Sequence, residues 1–202
     1  DEVRARPALW CVVAAEQQDA GRGRLGRAWT TTAGSSLAVS VLVPAPASGV
    51  SWVPLLAGLA VHRAVSEVGA VRTTLKWPND VLVPADEDRK LAGLLCEWTP
   101  QGVVVGLGLN VDTPRDELPL PAATSLRAAG APGVDRASLL TAYLVHLARV
   151  LGEDPAAGAT AYRAACSTVG ASVEVQLPDG VVHRGVATGV DDHGRLTVRT
   201  ST

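Results

Sequence analysis

The chain has 202 residues, 47% of them hydrophobic, and a formal net charge of −2. That length suffices for one well-cored domain, or one domain with a small satellite. No apolar run is long enough to span a bilayer, no signal-peptide pattern opens the chain, and the charge balance offers nothing general to nucleic acid, so a cytoplasmic protein is expected.

In chain order, 8–16 is a β-type run and 17–34 a loop, with three Gly and three Arg between Gly21 and Arg27. Ser36 to Val43 alternates as a strand and stops at Pro44. A Pro/Ala-rich spacer runs to Gly49, and Ser51 is predicted to cap a helix through about Val68, with Leu55, Leu56, Leu59, Ala60 and Val65 on its apolar face. Val71 to Trp77 and Val81 to Val83 read as short strands. Leu91 to Trp98 and Val103 to Val111 read as two longer strands joined at Pro100-Gln101-Gly102. Asp135 caps a helix whose stripe is Leu139, Tyr143, Leu147 and Leu151, with Leu140 and Leu144 beside it. A further helix covers about Asp154 to Cys166. Three short strands follow, around turns at Pro178-Asp179-Gly180 and Asp191-Asp192-His193-Gly194. Strands first and helices grouped predict an α+β fold.

The scarce residue types carry information. The sequence has no Phe, Ile or Met, and two lysines stand against sixteen arginines, as a GC-rich genome would give. With no Met in the chain, the natural start is expected upstream. Lys76, Asn79 and Lys90 lie close together in sequence, and Asn110 is the other asparagine. A compact ammonium and a guanidinium differ where phosphate or carbonyl oxygen must be met, so the two lysines are functional candidates; leftover surface cations are the plainer reading. Cys11, Cys96 and Cys166 have no metal spacing and imply no disulfide framework, so buried free thiols are expected. His62, His146, His183 and His193 are isolated and read as surface or packing residues.

Gly21-Arg22-Gly23-Arg24-Leu25-Gly26 matches the dinucleotide fingerprint G-x-G-x-x-G only in letters. That fingerprint must open a helix and be followed by an acid about 20 residues on. Here Ala28-Trp29-Thr30-Thr31-Thr32 follows, and Pro46 stands near the acid's place. Glycines that let the backbone close over a ligand, with Arg22, Arg24 and Arg27 among them, suit a phosphate-bearing ligand; an exposed basic loop is the alternative. Lys76-Trp77-Pro78-Asn79-Asp80 ends a strand and presents a cation, an amide and a carboxylate, a set suited to phosphate, nucleoside and Mg²⁺, although an ordinary Pro-Asn-Asp turn has the same composition. Gly93 within a strand points to close approach by a ligand, with Lys90 beside it. Gly106 and Gly108 clear one face of the neighbouring strand, unless they serve tight strand packing, and Asn110 ends it.

Together, Gly21 to Arg27 with Trp29, Lys76 to Asp80, Lys90 to Leu95 and Gly106 to Val111 resemble the four signature blocks of biotin protein ligases, in the same order and at similar intervals. The resemblance runs nearly end to end. It implies a mixed β-sheet with helices packed on one face, the class II aminoacyl-tRNA synthetase-like catalytic fold, over 1–168. A small SH3-like β-barrel, incomplete, would follow over 169–202. The activity it implies is ATP-dependent formation of biotinyl-5′-AMP and transfer of biotin to a lysine of a biotin carboxyl carrier domain of an acyl-CoA carboxylase.

By the same resemblance, Gln18, Gly21, Arg22, Gly23, Arg24, Lys90, Gly93, Gly106 and Gly108 would bind biotin. Arg22, Arg24, Arg27, Trp29, Lys76, Asn79 and Asn110 would face ATP or the adenylate, Lys90 and Arg24 would be catalytic, and Asp80 would meet Mg²⁺. Two departures stand out. The family's Ser/Thr-Thr/Ser-Asn element would precede Asp1, and its last C-terminal strand would lie beyond Thr202. A homodimer and a DNA-binding domain upstream are both compatible with the resemblance; within this chain no nucleic-acid or membrane partner is expected. Two other readings remain open: a lipoate or octanoate ligase or transferase, whose relatives lack the Arg-Gly loop, and a non-catalytic biotin sensor, against which Lys90 and the intact loop argue.

Overall fold

The computed structural model describes residues 9–30, 33–46, 49–177 and 180–200. Its first strand, β1 (Val12–Ala15), is followed by two short ones, β2 (Gly21–Arg22) and β3 (Ala28–Trp29), and then by β4 (Ser36–Val43). The segment read as a loop therefore contains a two-stranded antiparallel hairpin, in which Gly21 faces Trp29 and Arg22 faces Ala28. A Cβ on Gly21 would lie 2.3 Å from the Trp29 carbonyl oxygen, so only glycine lets the hairpin close. The Arg24–Gly26 turn holds Leu25 at φ 58° and opens no helix, so the fingerprint match has no structural counterpart. Residues 8, 31–32, 47–48 and 178–179, which bear on four of the sequence expectations, lie outside the described residues.

The main sheet continues with β5 (Thr74–Lys76), β6 (Asp80–Val83), β7 (Arg89–Thr99) and β8 (Gly102–Asn110), in the order β1-β4-β8-β7-β6-β5. Each ladder is antiparallel. Parallel pairing enters at the margins through two isolated bridges, Leu75–Cys166 and Lys90–Ala123, which make the sheet mixed. Period-two alternation separates its faces. On β4 and β8 the opposed pairs Leu37–Leu109, Val39–Leu107, Val41–Val105 and Val43–Val103 enter the main core. The intervening pairs Ala38–Gly108, Ser40–Gly106 and Leu42–Val104 lie on the other face.

Three helices cover the core face: α1 (Val53–Ala64), α2 (Arg136–Gly152) and α3 (Pro155–Ala165). Leu55, Leu59, Leu139, Tyr143 and Leu147 are buried there, as their helical spacing predicts; each such side chain contributes about 1.5–3 kcal/mol of transfer free energy. Asp135 and Asp154 cap α2 and α3 by accepting from the N–H groups of Ser138 and Ala156.

Ser51 does not cap α1. A 3₁₀ turn, Val50–Trp52, precedes the helix, and the Ser51 hydroxyl donates to the His193 carbonyl instead. The helix extends through a π-helical turn, Val65–Gly69. Of the thiols, Cys166 is buried and Cys11 and Cys96 are half-buried, so the expectation of three buried thiols holds for one. Burial pushes the Cys96 thiol up to about 12, which removes it as a nucleophile at neutral pH.

The last segment is a three-stranded antiparallel sheet of β9 (Ser172–Gln176), β10 (Val182–Val190) and β11 (Leu196–Thr200). Its Asp191–Gly194 turn is tied to the elements around the main sheet. Trp52 Nε1 donates to the Asp192 carbonyl and Trp77 Nε1 to that of Gly194. Arg163 reaches the Val190 carbonyl and the Asp192 carboxylate while stacking over Trp52. Among the described residues no helix is long and apolar enough to cross a membrane.

Candidate active site

A cavity of about 930 Å³ opens on the sheet face away from the helices. Its floor is Ala38, Ser40, Gly93, Gly106 and Gly108, its roof the 18–30 segment, and one wall the segment 119–123. Of the residues singled out in the sequence, Gln18, Arg22, Gly23, Arg24, Arg27, Trp29, Asn79, Asp80, Lys90, Gly93, Gly106, Gly108 and Asn110 all line it. Gly21 stands one step back, closing the hairpin that carries Trp29. Lys76 is not on the wall: it is exposed at the end of β5, opposite Asp80 in the ladder.

The glycines act differently from expectation. Gly93 faces the side chain of Lys90, not open space; a Cβ there would lie 2.8 Å from Nζ. A Cβ on Gly108 would lie 2.3 Å from the Trp29 ring, and one on Gly106 would press on the Leu95 carbonyl. Gly93 and Gly108 thus seat Lys90 and Trp29, and those two side chains join the glycines in the surface offered to a ligand. Lys90 Nζ lies 5.6 Å from the Trp29 ring centroid, within cation–π range, and 2.7 Å from Asp80 Oδ1. Trp29 Nε1 is buried without an acceptor, a donor left for whatever enters the cavity.

The polar ends of the strands are fixed by the backbone. Asn79 Nδ2 donates to the Leu94 carbonyl and Asn110 Nδ2 to that of Thr124. β8 leaves the sheet at Asn110, which bares the β7 edge at Lys90, and residues 122–124 fill it. The Lys90 N–H donates to the Ala122 carbonyl, and the Thr124 N–H donates to the Lys90 carbonyl. In the roof, Arg22 lies 3.5 Å from Glu97 on β7, while Arg24 and Arg27 are exposed.

The reading from sequence missed Glu97 and the 119–123 wall. Nothing in Pro119-Leu120-Pro121 announces that it will stand beside a lysine of an earlier strand. Among the described residues no group of three His, Cys, Asp or Glu could hold a metal ion. A protein-caged metal therefore does not fit. A Mg²⁺ carried on a nucleotide needs only one or two carboxylates besides phosphate and water, and Asp80 on the cavity wall fits that requirement.

The model of the biotin/lipoate A/B protein ligase family matches residues 4–112. The chain belongs to this family. A second model, the biotin protein ligase C terminal domain, matches residues 168–202. The chain is 42% identical over 195 residues to a biotin–[acetyl-CoA-carboxylase] ligase of Mycobacterium tuberculosis, covering 92% of this chain and 71% of that protein. It is 28% identical to the bifunctional ligase/repressor BirA of Bacillus subtilis, over 94% of this chain and 62% of that one. Among solved structures, the biotin protein ligase of Aquifex aeolicus in complex with biotin and ATP superposes with a TM-score of 0.81 at 25% identity, over 95% of this chain and 82% of that one.

Proposed function

We propose that the chain is the catalytic part of a biotin protein ligase. It activates biotin with ATP and passes the biotinyl group to a lysine of a biotin carboxyl carrier domain. The observation that carries this is convergence: four sequence blocks far apart in the chain meet in one cavity around Lys90, in a fold whose Aquifex relative holds biotin and ATP. The match of the C-terminal segment to a biotin protein ligase domain favours biotin over lipoate.

The chemistry follows from charge. The biotin carboxylate attacks the α-phosphorus of ATP, forming the acyl–phosphate bond as the bond to pyrophosphate breaks. Negative charge gathers on the transferring phosphate, and Lys90 with the loop arginines Arg22, Arg24 and Arg27 would offset it. Mg²⁺ bound to the phosphates would lower the charge on the leaving pyrophosphate, with Asp80 as its protein carboxylate. Gln18, Gly23 and the floor at Gly93, Gly106 and Gly108 would hold biotin. Trp29, Asn79 and Asn110 would take the nucleotide side, Gly21 setting the hairpin and Lys76 acting from the rim alone. The closed roof keeps water from the mixed anhydride. The acceptor amine then attacks the acyl carbon, the amide forms, AMP leaves and a proton is released. No enzyme nucleophile is required, in keeping with the raised Cys96 pKa.

We place the domain boundary after residue 168, supported by the start of the C-terminal match, and the site of action in the cytoplasm, where ATP and carboxylases meet. Titration calorimetry with biotin and with lipoate, followed by a pyrophosphate-release assay, tests the reading. Biotin alone should bind and drive release; tighter binding of lipoate, or binding of biotin without pyrophosphate, contradicts it.

A further inference from the structure

Asp86 lies outside the cavity and outside every motif, in the 3₁₀ turn Pro84–Asp86 between β6 and β7. Its side chain is only 14% exposed, yet it gathers three donors. Arg89 Nη1 and Arg115 Nη2 approach it at 2.7 and 2.5 Å, and the hydroxyl of the fully buried Thr124 donates to it as well. The two arginines do not end there. Arg89 Nε donates to the Pro121 carbonyl, and Arg115 Nη2 also donates to that of Ala128. One carboxylate therefore pins both ends and the middle of the segment from Pro121 to Ala128.

The start of that segment, Ala122 and Ala123, belongs to the cavity wall, and its backbone pairs with Lys90 along one strand edge through Ala122 and Thr124. We infer that Asp86 is a positioning residue for adenylate formation: by holding Arg89, Arg115 and Thr124 it fixes the 121–128 segment, whose first residues form part of the wall, and, through it, the placement of Lys90. The three donors outweigh the opposing effect of burial and hold the Asp86 carboxyl below its usual range, so it stays charged across the working pH range. The inference rests on the ligase reading above and on Lys90 as its cation.

The test is single-turnover adenylate formation at saturating biotin and Mg-ATP, measured for wild type, Asp86→Ala and Thr124→Val. Thr124→Val keeps the shape and the backbone bond to Lys90 but removes the donor to Asp86. Arg127→Met is the control, because Arg127 lies in the same segment but pairs with the exposed Asp112 instead. Charge-assisted bonds of this kind place the expected fall in rate constant for Asp86→Ala at roughly 10- to 100-fold. A smaller fall is expected for Thr124→Val, and none for Arg127→Met.

The burst amplitude separates positioning from mere support. A structural defect lowers the fraction of competent enzyme and hence the amplitude, whereas misplacing Lys90 lowers the rate constant at full amplitude. Unchanged rate constants, or losses confined to amplitude, overturn the inference. If Asp86→Ala does not fold, Thr124→Val decides by the same criterion. An inactive wild type would refute the ligase reading itself, a result distinct from active variants beside an active wild type.

Discussion

Lys90 is held on several sides: by the Asp80 carboxylate, by main-chain bonds to Ala122 and Thr124, and by packing over Gly93 beneath the Trp29 ring. Arg24 stands in a turn that contains no buried residue, on a backbone that passes through a left-handed Leu25 and Gly26. The two cations face the same cavity. Their surroundings suit different tasks. A sheet strand with its edge filled can hold an ammonium at a fixed place, which charge stabilisation in a transition state demands. A glycine-rich turn costs little to open, which suits admitting substrates and retaining an intermediate between two steps.

The largest effect is expected at the rigid end. Lys90→Ala removes the central charge and leaves Asp80 without its 2.7 Å partner. Adenylate formation should fall by roughly 100-fold or more, with the circular dichroism spectrum retained. Near-normal turnover in a folded variant would end the assignment of Lys90 as the central cation.

Arg24→Gly probes the glycine-rich turn. A charge-assisted hydrogen bond is worth about 1.5–3 kcal/mol, and about 1.4 kcal/mol is a factor of ten in affinity. Biotinyl-5′-AMP should therefore leave roughly 10- to 100-fold faster and acylate bystander amines, visible as streptavidin-reactive serum albumin. Stability should change by no more than about 0.5 kcal/mol, since the side chain packs against no core. Early melting, or albumin labelling equal to wild type, would make the loop structural.

Gly108→Ala joins the two regions, because Trp29 of the roof sits where its Cβ would be. Displacing the ring should destabilise the fold by about 1–3 kcal/mol and raise the KM for ATP, with a shift in tryptophan emission. An unchanged KM and spectrum would show that the Trp29–Gly108 contact is incidental. A smaller effect is expected from biotin and ATP on trypsin cleavage after Arg22 or Arg24: protection of these bonds, with the sheet resistant throughout. Equal cleavage with and without ligand would count against closure of the roof.

Much of the site was legible because the composition is so biased. Where arginine serves as the general cation, a retained lysine such as Lys90 stands out, and Pro78 marked the end of its strand by simple stereochemistry. The period-two alternation of Ser36 to Val43 gave the strand to its ends. What escaped was non-local. Ser51 looks like a helix cap until a carbonyl 142 residues away takes its hydroxyl. Asp86 drew no reading from the sequence, because its partners Arg115 and Thr124 belong to a segment with no periodicity of its own. The glycines were read as places where a ligand comes close; in the structure Lys90 lies against Gly93, Trp29 against Gly108 and the Leu95 carbonyl against Gly106. Sequence spacing shows that a Cβ is missing; only packing shows what occupies its place.

The most direct measurement is incubation of the protein with biotin, Mg-ATP and a biotin carboxyl carrier domain, read by intact-mass and peptide mass spectrometry. The account predicts one biotinyl group on a single lysine of the acceptor, with stoichiometric AMP and pyrophosphate and no transfer from lipoate. An acceptor unmodified by wild type, or labelled equally well with lipoate, would contradict it.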